Sequence, residues 1–389
     1  MKITKVRILS ADIFNYVKVE TNEDVYGIGE VHPASGTGGT PFLPLAGIQY
    51  CAEYLIGKNP LQIERHWQHM FRRSLFRGGS DIMAAIGAID IALWDIKGKV
   101  YGKPVYDLIG GPTRDKVRLY THLNASDSVG LATEAKARIE EGFTAVRLYP
   151  FGDFGISNFS EGRGLENMSF TSMQHNAVER VAAVREAVGP DVDVIIDTVN
   201  RLSPVEAIAV GRALEPYNLL FFEDPIEPEN MAQWQYVSSS MNVPVAMGER
   251  LYTIYQFLDL LNHNGAAYIR PDLSLAGGIT NVKKIASIAE ANYVGVIPHN
   301  PLSCVLTAAC VQLDASINNV PLQEYPLDDN VGLKADLVIE PLVRERGYII
   351  VPDKPGIGVE LNEEAFPFYP PVSRSRPPLV NPDGSLRDY

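Results

Sequence analysis

Three acidic residues stand 26 positions apart in the chain, Asp197, Glu223 and Glu249, and each closes a short apolar run: VDVIID, NLLFFE and VPVAMGE. Such runs, each followed by a helical stretch, read as buried parallel strands. In a closed parallel barrel neighbouring strand ends converge at the C-terminal mouth, where these folds place their chemistry. Crowded carboxylates repel one another, and a hard divalent cation, most simply Mg2+, resolves the repulsion. One such acid would be read equally well as a helix cap; three at equal spacing select the metal. Beyond them, Asp272 closes IRPD, His299 closes VGVIPH and Glu324 closes VPLQE. An imidazole held by a carboxylate has a fixed tautomer and a raised pKa, which suits a general base. His299 also sits in HNP, where a histidine can simply cap a loop. Glu324 either donates a hydrogen bond to an oxygen that gains charge or is a plain acid at the barrel mouth. A metal facing a His–Asp pair suits removal of a proton α to a carboxylate. The resulting enediolate either expels a β-hydroxyl or is reprotonated, giving dehydration or epimerisation.

The elements that must position these residues fall into two patterns. Residues 3–10 and 15–20 alternate like antiparallel strands, and YGIGEVHPASGTGG at 26–39 reads as a glycine-rich loop. Helical stretches follow near 42–55, 60–74 and 80–98, the last apolar at three-to-four spacing and closed by glycine. From 116 the pattern becomes repeated strand and helix, with strands at 117–121, 145–149, 192–197, 218–223, 243–249, 266–272, 293–299 and 320–324. Eight such units close a (β/α)8-type barrel. The eighth helix is abbreviated, so the expected form is (β/α)7β. The expected domains are an α+β capping domain at 1–115, the barrel at 116–345, and a segment at 346–389 that completes the cap. The long insertion near 150–170 is of the kind that covers an active site or a subunit contact.

A net charge of −13 argues against a nucleic-acid surface. No apolar run approaches membrane-spanning length, and MKITKVRILSADIF lacks the form of a signal peptide. Cys51, Cys304 and Cys310 show no ligand-like pairing, as expected of reduced, buried thiols in a cytoplasmic protein. Phosphate and dinucleotide motifs are absent from the sequence.

The whole chain resembles the enolase superfamily, in its mandelate racemase/muconate-lactonizing branch, and within it the galactonate and mannonate dehydratases. The stretches that carry this are GIGE (27–30), FRGGSDIMAAIGAIDIALWDIKGKVYGKPVYDLIGG (76–111), EDP (223–225), GER (248–250), RPDLSLAGGIT (270–280), PHNP (298–301), PGIGVE (355–360) and the tail PDGSLRDY. The resemblance implies one Mg2+ per subunit held by Asp197, Glu223 and Glu249, a base or acid in His299 with Asp272, and an electrophilic acid in Glu324. It also implies a homo-oligomer, from dimer to octamer, acting on a small hydroxy-carboxylate.

Two departures qualify it. Where racemase-like members carry a lysine pair, this chain reads Arg147-Leu148-Tyr149. Where the dehydratases place a histidine two residues after the first metal ligand, it has Val199, which cannot donate a proton. Candidates for the leaving-group acid are Tyr149, His122 and His32, or His299 itself if proton and hydroxyl leave from one face. Arg147, Arg250 and Asn124 are candidate partners for a polyhydroxy acid. His66, His69, His175 and His263 read as solvent or packing residues. The expected activity is a sugar-acid dehydratase; the alternatives are an epimerase or cycloisomerase, or a metal-binding member that has lost turnover.

Overall fold

In the computed structural model, strand β1 (Ile3–Ala11) pairs antiparallel with β2 (Phe14–Thr21), and β2 with β3 (Tyr26–Glu30). The description covers residues 1–34, 42–152, 165, 168–372, 379–380 and 383–387. Residues 26–30, expected to be loop, are therefore strand. Their glycines serve close approach of a helix rather than a turn. A Cβ on Gly27 would lie 1.9 Å from the Ala92 carbonyl oxygen, and one on Gly29 2.0 Å from that of Ala88. Residues 35–39 of the expected loop lie outside the described residues, as do most of the 150–170 insertion and much of the tail.

The helices α1 (Phe42–Leu55), α2 (Ile63–Arg72) and α3 (Ser80–Tyr101) follow the expected order. α3 is rich in alanine and isoleucine, buries most of its length, and ends where Gly102 takes a left-handed conformation and returns its N–H to the last turn. A short α4 (Val105–Leu108) leads to the alternating part. There β4 (Lys116–Leu123), α5 (Ser128–Glu140), β5 (Ala145–Leu148), α6 (Phe170–Val188), β6 (Asp193–Asp197) and α7 (Pro204–Leu214) succeed one another. They are followed by β7 (Phe221–Glu223), α8 (Met231–Ser239), β8 (Val245–Met247), α9 (Ile254–Asn262) and β9 (Tyr268–Ile269). The series closes with α10 (Gly278–Ala291), β10 (Gly295–Val296), α11 (Cys304–Asp314), β11 (Gln323–Glu324) and a five-residue α12 (Gly332–Asp336). This is an α/β fold with an N-terminal capping subdomain and an alternating, barrel-like β/α sheet. Its eighth helix is abbreviated as expected. Among the described residues no helix is long and apolar enough to cross a membrane.

By compactness the chain forms two units. The first comprises Met1–Arg118, Glu249–Gln256 and Pro271–Ser375; the second comprises Leu119–Gly248, Phe257–Arg270 and Arg376–Tyr389. In the first, α3 packs on β3, and residues 363–372 return to the N-terminal sheet. The Asp12 amide donates to the Tyr369 carbonyl and the Val372 amide to the Asp12 carbonyl, each at 3.0 Å, and Glu363 meets Lys18 at 2.5 Å. In the second, β5 to β9 run parallel in consecutive register, with Asp197 opposite Glu223 and Met247 opposite Ile269. The three cysteines are free and buried, as expected.

Candidate active site

In the first unit, Asp272 lies three residues past β9 and His299 three past β10. The His299 amide donates to the Pro271 carbonyl at 3.2 Å, and Asp272 and His299 form a parallel bridge. That register brings His299 Nδ1 within 3.0 Å of Asp272 Oδ2. The other oxygen, Oδ1, accepts the Leu275 amide at 2.9 Å. His299 Nδ1 thus carries a proton toward Asp272, and Nε2 lies 3.3 Å from Glu249 Oε2. Burial alone would lower the imidazole pKa. Glu249, the Asp272 hydrogen bond and Glu324 outweigh it and hold the ring at about 9.

His32, just beyond β3, flanks the same carboxylate: its Nε2 is 3.8 Å from Asp272 Oδ2. The Ala34 amide donates to His32 Nδ1 at 2.9 Å, and burial lowers the pKa of the ring. His32 is therefore a neutral imidazole with its proton on Nε2. It is a hydrogen-bond donor, because releasing that proton would leave an imidazolate. Glu324, at the end of β11, is buried and accepts the Asn300 amide at 3.0 Å through Oε2. Arg250 is half-buried directly after Glu249.

In the second unit the acids meet guanidinium groups. Arg147 Nη2 lies 2.8 Å from Asp197 Oδ2, and Arg270 Nε lies 2.8 Å from Glu223 Oε1, the latter pair fully buried. Asp197 Oδ1 also accepts the Val199 amide at 2.7 Å, across a turn in which Val199 and Asn200 both have positive φ. His122 Nε2 is 3.5 Å from Arg147 Nη1. Tyr149 is buried edge-on to Phe151, with ring centroids 5.6 Å apart. Asn124 is exposed, and its backbone amide donates to Glu134. Gly248, before Glu249, has φ of 139° and a site where a Cβ would come 2.8 Å from Phe257, so only glycine fits this turn out of β8.

Sequence reasoning missed Arg270 and Glu30. An arginine ending the apolar run AAYIR was the available signal, since a buried guanidinium needs an acid partner. Glu30 carried no comparable signal once 26–39 was read as loop.

One ligand atom from each of His32, Asp272 and His299 falls within 4.8 Å of the others. Yet His299 Nδ1 is already given to Asp272, and a hard cation prefers oxygen, so this trio suits proton handling better than metal binding. Carboxylate oxygens, rather than imidazole nitrogens, are the donors that a hard Mg2+ ion prefers.

A proton-handling imidazole and strand-end carboxylates on an alternating β/α sheet define an enzyme of the α-proton-abstracting class. Residues 4–110 match the mandelate racemase/muconate lactonizing enzyme N-terminal domain, and residues 130–365 the enolase C-terminal domain-like family. The chain belongs to the mandelate racemase/muconate lactonizing branch of the enolase superfamily, and Mg2+ is its cofactor. It is similar to D-galactonate dehydratase of Variovorax paradoxus, with 35% identity over 403 residues and full coverage of both chains. Among solved structures it resembles an Agrobacterium radiobacter enolase, provisionally described as a galactarate dehydratase and bound to sodium and L-malate. That match has a TM-score of 0.90, 30% identity and full coverage of both chains. It also resembles the 3,6-anhydro-D-galactonate cycloisomerase of Zobellia galactanivorans, with a TM-score of 0.83, 28% identity, and coverage of 95% of this chain and 99% of that one.

Proposed function

We propose that the protein is a Mg2+-dependent hydro-lyase that converts an aldonate-type acid into a 2-keto-3-deoxy acid. The observation that carries this is the His299–Asp272 pair at 3.0 Å, with the working nitrogen of His299 turned away from Asp272. We assign Asp197, Glu223 and Glu249 as the residues that would hold Mg2+, which when bound would supply positive charge to stabilise the substrate's developing negative charge. The fraction of His299 with no proton on Nε2 takes the α-proton there while Asp272 stabilises the imidazolium. The electron pair left at the α-carbon passes into the carboxylate, with Glu324 hydrogen-bonded to the oxygen that gains charge. Return of that pair expels the β-hydroxyl, which leaves as water when protonated, and the enol relaxes to the ketone. Burial lowers the pKa of His32, and we assign the protonated His299 as the imidazole that supplies the leaving-group proton. His32, His122, Arg147, Arg250, Asn124 and Tyr149 are assigned to hold the substrate hydroxyls. The C-terminal segment completes the cap, and the working form is a cytoplasmic homo-oligomer between dimer and octamer.

The test is incubation with Mg2+ and a panel of aldonic, aldaric and anhydro-sugar acids in deuterated water, followed by proton NMR. Loss of a β-hydroxyl with a 2-keto-3-deoxy product is expected. Deuterium exchange or isomerisation at the α-carbon without loss of water would replace dehydration by epimerisation or cycloisomerisation.

A further inference from the structure

Glu30 is the last residue of β3, fully buried and outside the acid–base machinery described above. Its Oε2 accepts the Ser303 amide at 3.2 Å, the Ser303 hydroxyl at 2.8 Å and the Leu306 amide at 3.0 Å. These groups form the start of α11, the helix that follows the His299 loop. Ser303 is the N-cap of that helix, but its side chain makes no local capping bond. It turns instead to Glu30 and to the Tyr16 hydroxyl, 2.9 Å away. The Glu30 backbone carbonyl meanwhile accepts the Ser274 hydroxyl at 2.9 Å, two residues past Asp272. One residue therefore grips the His299 loop with its carboxyl and the Asp272 loop with its backbone.

This arrangement is expensive if its only purpose is to cap a helix. A local serine cap contributes about 1 kcal/mol without burying an acid, whereas here burial pushes the carboxyl up to about 8 against the opposing Ser303 and Leu306 hydrogen bonds. Glu30 Oε1 is buried and finds no partner among the described residues. We propose that Glu30 is a positioning residue that sets the spacing of the His299 and Asp272 loops, and hence the aim of His299 Nε2. This rests on the proton-transfer role of the pair proposed above.

Three variants test it: Glu30→Ala, Glu30→Gln and Asp95→Ala. Glutamine keeps an acceptor oxygen and is the neutral isostere of the protonated carboxyl. Asp95 is an equally buried acid that ties the Ile28 and Ile357 amides, each at 3.0 Å, and serves as the structural comparison. Since small misplacement of a reacting group is costly, Glu30→Ala should lower kcat roughly 10- to 100-fold, with KM within about threefold of wild type. Glu30→Gln should restore kcat to within about threefold, and Asp95→Ala should lower Tm while leaving kcat within that same range. The proposal is overturned if Glu30→Ala keeps its kcat, if glutamine fails to rescue it, or if Asp95→Ala loses as much. A second readout needs no substrate: the His299 Nδ1 proton in protein labelled with 15N-histidine. Glu30→Ala should shift it and quicken its exchange with water; an unmoved resonance also overturns the proposal. If the substrate panel stays silent, the NMR arm still decides the positioning role.

Discussion

The acids of the two units keep different company. In the first, Glu30, Asp90 and Asp272 meet amides, hydroxyls and imidazoles. In the second, Asp197 and Glu223 meet the guanidinium groups of Arg147 and Arg270. A guanidinium never gives up its proton in a protein, so it fixes the charge of the acid beside it. An amide, hydroxyl or imidazole leaves the proton able to move. The contrast holds for these particular acids and not for every acid of each unit: Asp95 of the first unit is itself tied to Lys99 at 2.8 Å, and Glu249, beside His299, belongs to that unit too.

The sharpest way to break that contrast is to remove the group that moves the proton. His299→Asn keeps a polar side chain of similar size but cannot act as a base. It should lower turnover by at least the roughly 10²- to 10⁴-fold that general-base catalysis contributes. α-Deuterium exchange should fall with turnover, while Mg2+ affinity, read by calorimetry, should remain. Exchange that survived in His299→Asn would move the base elsewhere.

The second unit is tested through stability. Arg270→Met leaves Glu223 buried beside an apolar side chain, and breaking a buried pair in this way costs about 3–5 kcal/mol. Urea unfolding of metal-free protein should show that loss. Mg2+ should recover more stability in the variant than in wild type, because a cation on Glu223 replaces the missing positive charge. An equal Mg2+ gain in both proteins would argue that Glu223 is not a ligand.

Much of this division was legible in the sequence because it follows from strand ends. A parallel strand that turns polar at its last residue advertises its position, and the even spacing of Asp197, Glu223 and Glu249 exposed the repeat. The partners were harder to see. Arg270 and Glu30 act through tertiary contacts between residues far apart in sequence, for which periodicity carries no signal. The strand at 26–30 was hidden for a related reason: Gly27 and Gly29 mark a helix packed against the backbone, and locally that looks the same as a loop. The tautomer of His32 is fixed by a single hydrogen bond from Ala34, and burial keeps the ring uncharged. Without it, three histidines competed as leaving-group acid; with it, His32 becomes a donor.

The smallest expected effect is also the most direct test of the proton-mobile acids. Asp90, in the middle of α3, accepts the Thr280 amide at 2.9 Å and the Thr280 hydroxyl at 2.6 Å, capping α10, the helix after the Asp272 loop. Burial raises its carboxyl to about 7, and the two Thr280 hydrogen bonds only partly oppose the rise. Between the ordinary aspartate value of 3.8 and about 7, the folded protein holds a proton that the unfolded chain has released. Folded protein then binds more protons than unfolded, so this site makes stability fall as pH rises through that window. Below the window it contributes no pH dependence. Asp90→Asn removes the titration while keeping an oxygen for the Thr280 amide. Its Tm should therefore vary less than wild type between pH 4 and 7, and at pH 8 the variant should be the more stable by up to a few kcal/mol. Parallel Tm profiles would mean that Asp90 is ionised throughout, and that it holds fixed charge after all, like the acids beside the arginines.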